Sequence, residues 1–384
     1  MEVLFWLLFS VIFYCYFGYP LIILGLAKIF GRPIQKAGQV LHVSVVISVY
    51  NEADVLERKI SNLFSLDYPK DKIEILISSD GSTDRTNNIL KGIKNEHFRF
   101  IENSQRRGKM ANINRLLELA RGEIVVFTDA RQILAANAIW ELVANFKDPK
   151  VGCVSGELFF SSKDGGMAKG INLYWNYEKF IRVQESRIHS MLGATGAIYA
   201  IRKELFTKIP ENIILDDMFV PLQIIKKGYR AIVDGEAKAF DEVAESSAEE
   251  YQRKTRTLFG NYQIFGLFPE LFIPLMSPIA FQIISHKLLR VLIPFFLIAL
   301  FLINIALVRR PFFNKAILLQ IIFYLMAMMG GLARDKNYGI LKFVLKVCYV
   351  PYVFCLLNFS ALVGFWKFLT RGQYVTWQKA RKTR

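Results

Sequence analysis

Two hydrophobic patterns divide the chain. Residues 3–27 are an almost wholly apolar, uncharged run, long enough to cross a bilayer whose hydrocarbon core takes about 20 helical residues. A cleaved signal peptide wants a basic start, a shorter apolar run and small residues at the cut. Here Glu2 leads, and Lys28, Arg32 and Lys36 follow. The run therefore reads as an uncleaved anchor with its downstream side in the cytoplasm. Residues 42–263 have ordinary soluble composition. Residues 265–284 are apolar but broken by Pro269, Pro274 and Pro278, which suits irregular segments or short interfacial helices. Residues 291–308 and 316–332 can span as a hairpin around Arg309 and Arg310, and residues 350–368 are a third candidate. If all three cross, the tail with Arg371, Lys379, Arg381, Lys382 and Arg384 ends outside, against the positive-inside tendency. Either one segment only dips into the membrane or the tendency fails here. The expected order is a transmembrane helix (1–28), a soluble domain (40–263), interfacial helices (264–290), transmembrane helices (291–369) and a basic tail (370–384).

Within the soluble stretch, strand and helix patterns alternate. Residues 43–48 (VSVVIS) form a β-branched run of strand length. Val55, Leu56, Ile60, Leu63 and Phe64 then make a helical stripe that Tyr68-Pro69 stops. Residues 73–79 predict a second strand, and Asp80-Gly81-Ser82-Thr83-Asp84 combines turn and cap residues before a helix at 83–94. Residues 98–101 predict a short strand. Residues 109–121 predict a helix with Ile113, Leu116, Leu117 and Ala120 on one face, and residues 123–128 a buried strand ending at Asp129. Such alternation predicts a parallel sheet with helices on both faces. Ligands of open α/β sheets bind outside the carboxyl ends of the strands. Those ends carry Tyr50-Asn51-Glu52, Asp80 and Asp129, so three carboxylates are expected to meet on one edge.

Composition narrows the chemistry. A hydrophobic share of 53% with 21% charged residues excludes an intrinsically disordered chain. Much of the net charge of +16 flanks the membrane segments, where it faces lipid and sets topology. No recognition motif accompanies it, so no nucleic-acid partner is expected. Four scattered cysteines and four dispersed histidines offer neither a disulfide framework nor a zinc site. No GxGxxG follows the first strand, and Gly108-Lys109 lacks the rest of a P-loop. A carboxylate-rich edge instead suits a hard divalent cation bridging to a diphosphate. Lys109 either adds positive charge to that diphosphate or is a plain exposed cation.

The segments VSVVISVYNE, ISSDGSTDRT, RRGKMANINRLLELARGEIVVFTDA, GATGAIYAIRKELF and ILDDMFVPLQ, in this order, resemble the membrane-bound family 2 glycosyltransferases. These include cellulose, hyaluronan and poly-N-acetylglucosamine synthases. The resemblance implies a GT-A fold, a Rossmann-like, mostly parallel sheet with helices on both faces, carrying transmembrane and interfacial helices. It implies a UDP-sugar donor held with Mg²⁺ or Mn²⁺. Matched by position, Tyr50, Glu52 and Asp80 would cradle the uridine, and Lys109 would lie near the nucleotide. Asp129 would be the first Asp of the metal-binding DxD. Asp217, after Asp216, would be the general base that the family usually shows in an ED pair. Gly193, Ala194, Thr195 and Gly196 would lie beside the acceptor sugar. The pair Asp216-Asp217 also reads as a plain cap for a helix over 218–227.

Two departures from the family pattern matter. Position 131 is Arg instead of the second DxD aspartate, and an arginine cannot ligate a metal. Asp129 and the diphosphate must then supply more of the coordination, or Arg131 itself touches phosphate. The processive synthases carry QxxRW, whereas this chain has Gln252-Arg253-Lys254-Thr255-Arg256-Thr257 without the tryptophan. Arg253 and Arg256 share a helical face; they either grip the diphosphate or belong to a basic helix beside the membrane. The expected function is an inverting multi-pass enzyme of the cell (inner or plasma) membrane with its catalytic domain cytosolic. It would move a sugar from a UDP-sugar to a growing polysaccharide or lipid-linked glycan. A polyprenyl-phosphate acceptor is the second reading. A non-catalytic sugar-nucleotide sensor or scaffold is the third, and the intact Asp217 and Glu52 count against it.

Overall fold

The β-branched runs become the centre of an eight-stranded sheet. In this computed structural model, residues 1–161, 166–242, 247–332 and 342–370 are described. The strands are β1 (Val43–Val49), β2 (Ile73–Asp80), β3 (Phe98–Asn103), β4 (Ile124–Phe127), β5 (Ile133–Leu134), β6 (Val151–Ser161), β7 (Tyr199–Arg202) and β8 (Arg230–Glu242). Their order is β3-β2-β1-β4-β7-β6-β8-β5. The first four in that order are mutually parallel, as alternating strand and helix require. Beyond them β7 runs antiparallel to both β4 and β6, β8 runs parallel to β6, and β5 closes the edge antiparallel to β8.

Helices cover both faces. On one, Val43, Val45, Ile47 and Val49 share a core with Leu56, Ile60 and Leu63 of the Ala53–Phe64 helix and with Ile139, Leu142 and Val143 of the Ala138–Ala144 helix. The Lys109–Leu119 helix lies against β1 and β2 and buries Met110, Ile113, Leu116 and Leu117 outside that core. Because β1, β2 and β4 are parallel neighbours, Tyr50–Glu52, Asp80 and Asp129 emerge at the same end of the sheet.

The chain divides into two units. Residues 30–161 and 185–242 make the sheet and its helices, and residues 1–29, 166–184, 247–332 and 342–370 belong to the other. Among the described residues, four helices are long and apolar enough to cross a membrane, at Glu2–Phe30, Ala280–Ala306, Pro311–Leu332 and Val347–Leu369. The second of these starts at Ala280, so residues 280–290, expected to be interfacial, form the first turns of that helix. Its irregular neighbour is as the prolines dictate: a helix ends at Leu267, one short turn spans Pro269–Phe272, and helix resumes at Ala280. Phe5, Leu8, Leu300 and Phe313 pack three of the apolar helices together. Glu2 pairs with Arg310, which sets the turn after Ala306 at the same end as Met1. Tyr14 and Ser285 hydrogen-bond at 2.7 Å between the first and second helices. The basic tail beyond Thr370, including Arg371, lies outside the described residues.

Candidate active site

The loop after β1 and the loop after β2 are tied together by short polar side chains. Asn51, at φ 53°, takes the left-handed conformation that asparagine tolerates better than most residues. Its backbone N–H donates to Ser82 Oγ at 3.1 Å, and its Oδ1 accepts from the Thr83 N–H at 2.8 Å. Glu52 is buried and its N–H donates to Thr86 Oγ1 at 3.0 Å. These bonds hold Tyr50 and Glu52 beside the turn that follows Asp80.

Asp80 organises a third loop. Its Oδ1 accepts the Arg107 N–H at 2.7 Å and its Oδ2 accepts the Gly108 N–H at 3.1 Å. Gly81 has φ +66°, and a Cβ there would lie 2.9 Å from the Arg106 backbone nitrogen, so the two loops meet backbone to backbone. Arg106 lies over the Tyr50 ring, its guanidinium carbon 3.7 Å from the centroid, a cation–π arrangement. Asp80 thus anchors the wall of the site through its own carboxylate. Asp80→Ala is expected to leave two backbone donors unmatched, at about 1–3 kcal/mol. Its midpoint of thermal unfolding should fall, and a wild-type midpoint would show that this carboxylate does not hold the loop.

Lys109, the first residue of its helix, reaches into the centre. Its Nζ is 3.2 Å from Asp129 Oδ1 and 3.2 Å from Asp216 Oδ2. Burial works to lower its pKa, but Asp129, Asp216 and Asp217 together hold it above the usual lysine value. Asp216 is buried and opens the Asp216–Lys226 helix, with Asp217 beside it. Negative charge in a first turn suits the helix dipole. Tyr199 donates to Asp216 Oδ2 at 3.4 Å and stacks on Phe127 with centroids 4.4 Å apart. Burial and the neighbouring carboxylates raise its phenol pKa, which keeps it a donor. The 193–196 turn closes on Asp217: the Ala194 N–H donates to the Asp217 backbone oxygen at 2.6 Å. A Cβ on Gly196 would sit 3.2 Å from Asp217 Oδ2. Thr195 is buried, its N–H donating to Ser155 Oγ at 2.9 Å.

The sheet unit therefore brings together Asp129, Lys109, Asp216, Asp217 and the 193–196 turn, and groups Tyr50 and Glu52 with Asp80. Arg253 and Arg256 belong to the other unit, where the Arg253 guanidinium lies 5.8 Å from the Trp175 ring centroid.

Sequence patterns missed several participants. Lys59 is fully buried, and its Nζ donates to Thr128 Oγ1 at 2.9 Å and to the Gln132 carbonyl at 2.7 Å. Burial pushes its pKa down to about 7, with Asp129 and Asp241 acting in the opposite direction. Asp241, at the end of β8, accepts from Gln132 Nε2 at 2.6 Å and lies 3.8 Å from an Arg131 guanidinium nitrogen. The available signal for Lys59 was its place on the apolar face of its helix, between Leu56 and Leu63. Tyr199 and Asp241 had no local signal.

Among the described residues, no three His, Cys, Asp or Glu side chains are grouped to hold a metal ion by themselves. Asp129 nonetheless presents a partly exposed carboxylate, linked to that of Asp216 through the Lys109 ammonium. One or two carboxylates completed by phosphate oxygens are a usual setting for Mg²⁺. The donor set fits a cation that arrives with its diphosphate.

Residues 44–209 match the family profile described as glycosyl transferase family 2. Poly-beta-1,6-N-acetyl-D-glucosamine synthase of Staphylococcus aureus (strain MSSA476) is 25% identical over 239 residues, which is 61% of this chain and 58% of that protein. The Staphylococcus epidermidis protein of the same name is 32% identical over 133 residues, 34% of this chain and 32% of that protein. The chain thus spans less than two thirds of the curated relatives' length. A solved structure of the mannosyltransferase PcManGT from Pyrobaculum calidifontis, in complex with GDP-Man and Mn²⁺, superposes with a TM-score of 0.71. The match covers 96% of this chain and 100% of that one at 24% identity, so it establishes the shared fold, a GT-A fold.

Proposed function

We propose that this chain, whose residues 44–209 match the glycosyl transferase family 2 profile, is a multi-pass membrane enzyme of that family that transfers a sugar from a nucleotide-sugar to a glycan or lipid-linked acceptor with inversion. The observation that carries the reading is the meeting of Lys109 with Asp129 and Asp216, beside Asp217 and the 193–196 turn. A diphosphate needs cationic partners, and an acceptor hydroxyl needs a base. Both requirements are met within one cluster.

In this mechanism Tyr50, Glu52 and the loop anchored by Asp80 receive the nucleoside. Lys109 places positive charge against the diphosphate, and Asp129 would hold Mg²⁺ or Mn²⁺. That cation, when bound, would neutralise charge on the departing diphosphate. The acceptor enters along Gly193, Ala194, Thr195 and Gly196. Asp217 takes the proton from its hydroxyl as the oxygen attacks the anomeric carbon in line, the bond to the diphosphate breaks, and configuration inverts. Asp216 keeps Lys109 in place. Lys28, Arg32 and Lys36 after the first apolar helix favour a cytosolic catalytic domain.

The sequence resemblance favours a UDP-sugar, whereas the mannosyltransferase of the same fold was solved with GDP-Man. Full-length protein in nanodiscs, given Mn²⁺ and radiolabelled UDP- or GDP-sugars with polyprenyl phosphate or oligosaccharide acceptors, tests the proposal. Transfer from one donor, lost in EDTA, is expected. Label extracted into organic solvent as a short product identifies a lipid carrier; retained high-mass material identifies a polymer. Nucleotide binding without turnover across the panel would replace the enzyme with a sensor.

A further inference from the structure

Residues 128–132 form a turn clamped from two directions. Lys59, wholly buried, grips both ends through Thr128 Oγ1 and the Gln132 carbonyl. Asp241 reaches across from β8, more than a hundred residues away in sequence. Its Oδ2 accepts Gln132 Nε2 at 2.6 Å and faces the Arg131 guanidinium at 3.8 Å. The side chain of Asp241 is 9% exposed and that of Arg131 is 39% exposed. Arg131 is therefore steered by a nearly buried carboxylate, yet it presents much of its surface to solvent two residues from Asp129. A guanidinium offers planar, paired donors that match phosphate oxygens, and it keeps its charge at any physiological pH.

We propose that Arg131, oriented by Asp241, is a phosphate-binding cation that holds the donor's diphosphate directly and independently of the divalent cation. The inference rests on the donor reading above and assigns Asp241 as a positioning residue. Where the usual motif binds phosphate through a second metal-ligating carboxylate, this chain binds it with an arginine and keeps the acid one step back, as that arginine's anchor. Lys59 and Gln132 hold the turn in the shape that makes this geometry possible. Binding of the diphosphate should then survive removal of the metal in weakened form.

The test is isothermal titration calorimetry of full-length protein in nanodiscs with UDP and with GDP, in Mn²⁺ and in EDTA. Wild type is expected to bind one of them in both conditions. Arg131→Met should weaken that binding about tenfold or more in EDTA, with a smaller loss in Mn²⁺. Affinity for the matching nucleoside, which has no phosphate, should not change. Arg131→Lys should recover part of the loss. Asp241→Asn, which retains a partner for Gln132, should show a milder version of the same pattern. An unchanged unfolding midpoint for Arg131→Met separates these effects from misfolding. Equal affinities of wild type and Arg131→Met in EDTA would overturn the proposal. So would wild-type binding that vanishes entirely in EDTA. Failure of wild type to bind either diphosphate even in Mn²⁺ would instead overturn the donor reading itself, and this inference with it.

Discussion

Asp217→Asn is expected to lower turnover by about 10²–10⁴-fold, the usual worth of a positioned general base, while donor affinity stays at its wild-type value. The substitution keeps the side chain's shape and removes its ability to take a proton, together with one of the negative charges near Lys109, whose contacts with Asp129 and Asp216 remain. The backbone contact from Ala194 to the Asp217 carbonyl is untouched, so the turn against it should persist. Single-turnover transfer and nucleotide titration on the same preparation separate chemistry from binding. Asp216→Asn is the informative companion. Asp216 contacts Lys109 and Tyr199, so its loss should loosen the cation and weaken donor binding as well as slow the reaction. Unchanged turnover in Asp217→Asn would remove the base assignment.

The second large effect belongs to Asp129. Asp129→Ala is expected to erase the difference between donor binding in Mn²⁺ and in EDTA. It should cut kcat/KM by about 10²-fold or more, since stabilising a departing diphosphate through a cation is worth several kcal/mol. Lys109 would then face Asp216 and Asp217 without its third carboxylate neighbour. Its charge remains, so some donor affinity should remain too. Calorimetry across a Mn²⁺ series reads the first effect, and initial rates read the second. A variant that still binds donor more tightly with Mn²⁺ would relocate the cation to another ligand.

How much of this was visible in the chain depends on how local each signal is. β1, β2 and β4 are continuous β-branched runs bounded by turn residues, and parallel central strands have to be apolar on both faces. Their carboxyl ends carry Glu52, Asp80 and Asp129, so that edge could be anticipated. β6 and β8 are different. They are long, shift register at two places and pair residues about eighty positions apart, and strand register is decided by partners that no local window contains. The insertion of β7 between β4 and β6 is equally non-local, which is why Tyr199 was not anticipated beneath Asp216. Lys59 was hidden for another reason. A lysine in an amphipathic helix normally belongs to the wet side, and its contacts with Thr128 and Gln132, with Asp129 and Asp241 nearby, make burial tolerable. Arg131 looked like a missing ligand because its anchor, Asp241, arrives from the far end of the domain.

Gly196 leaves bare backbone facing Asp217. A single methyl there would sit 3.2 Å from the carboxylate oxygen, so under the proposed function Gly196→Ala would crowd the space where the acceptor hydroxyl has to meet its base. If that proposal holds, the side chain missing at this position is what leaves the carboxylate open on that side, and the bulkiest acceptors would be the first to lose access once a methyl filled it.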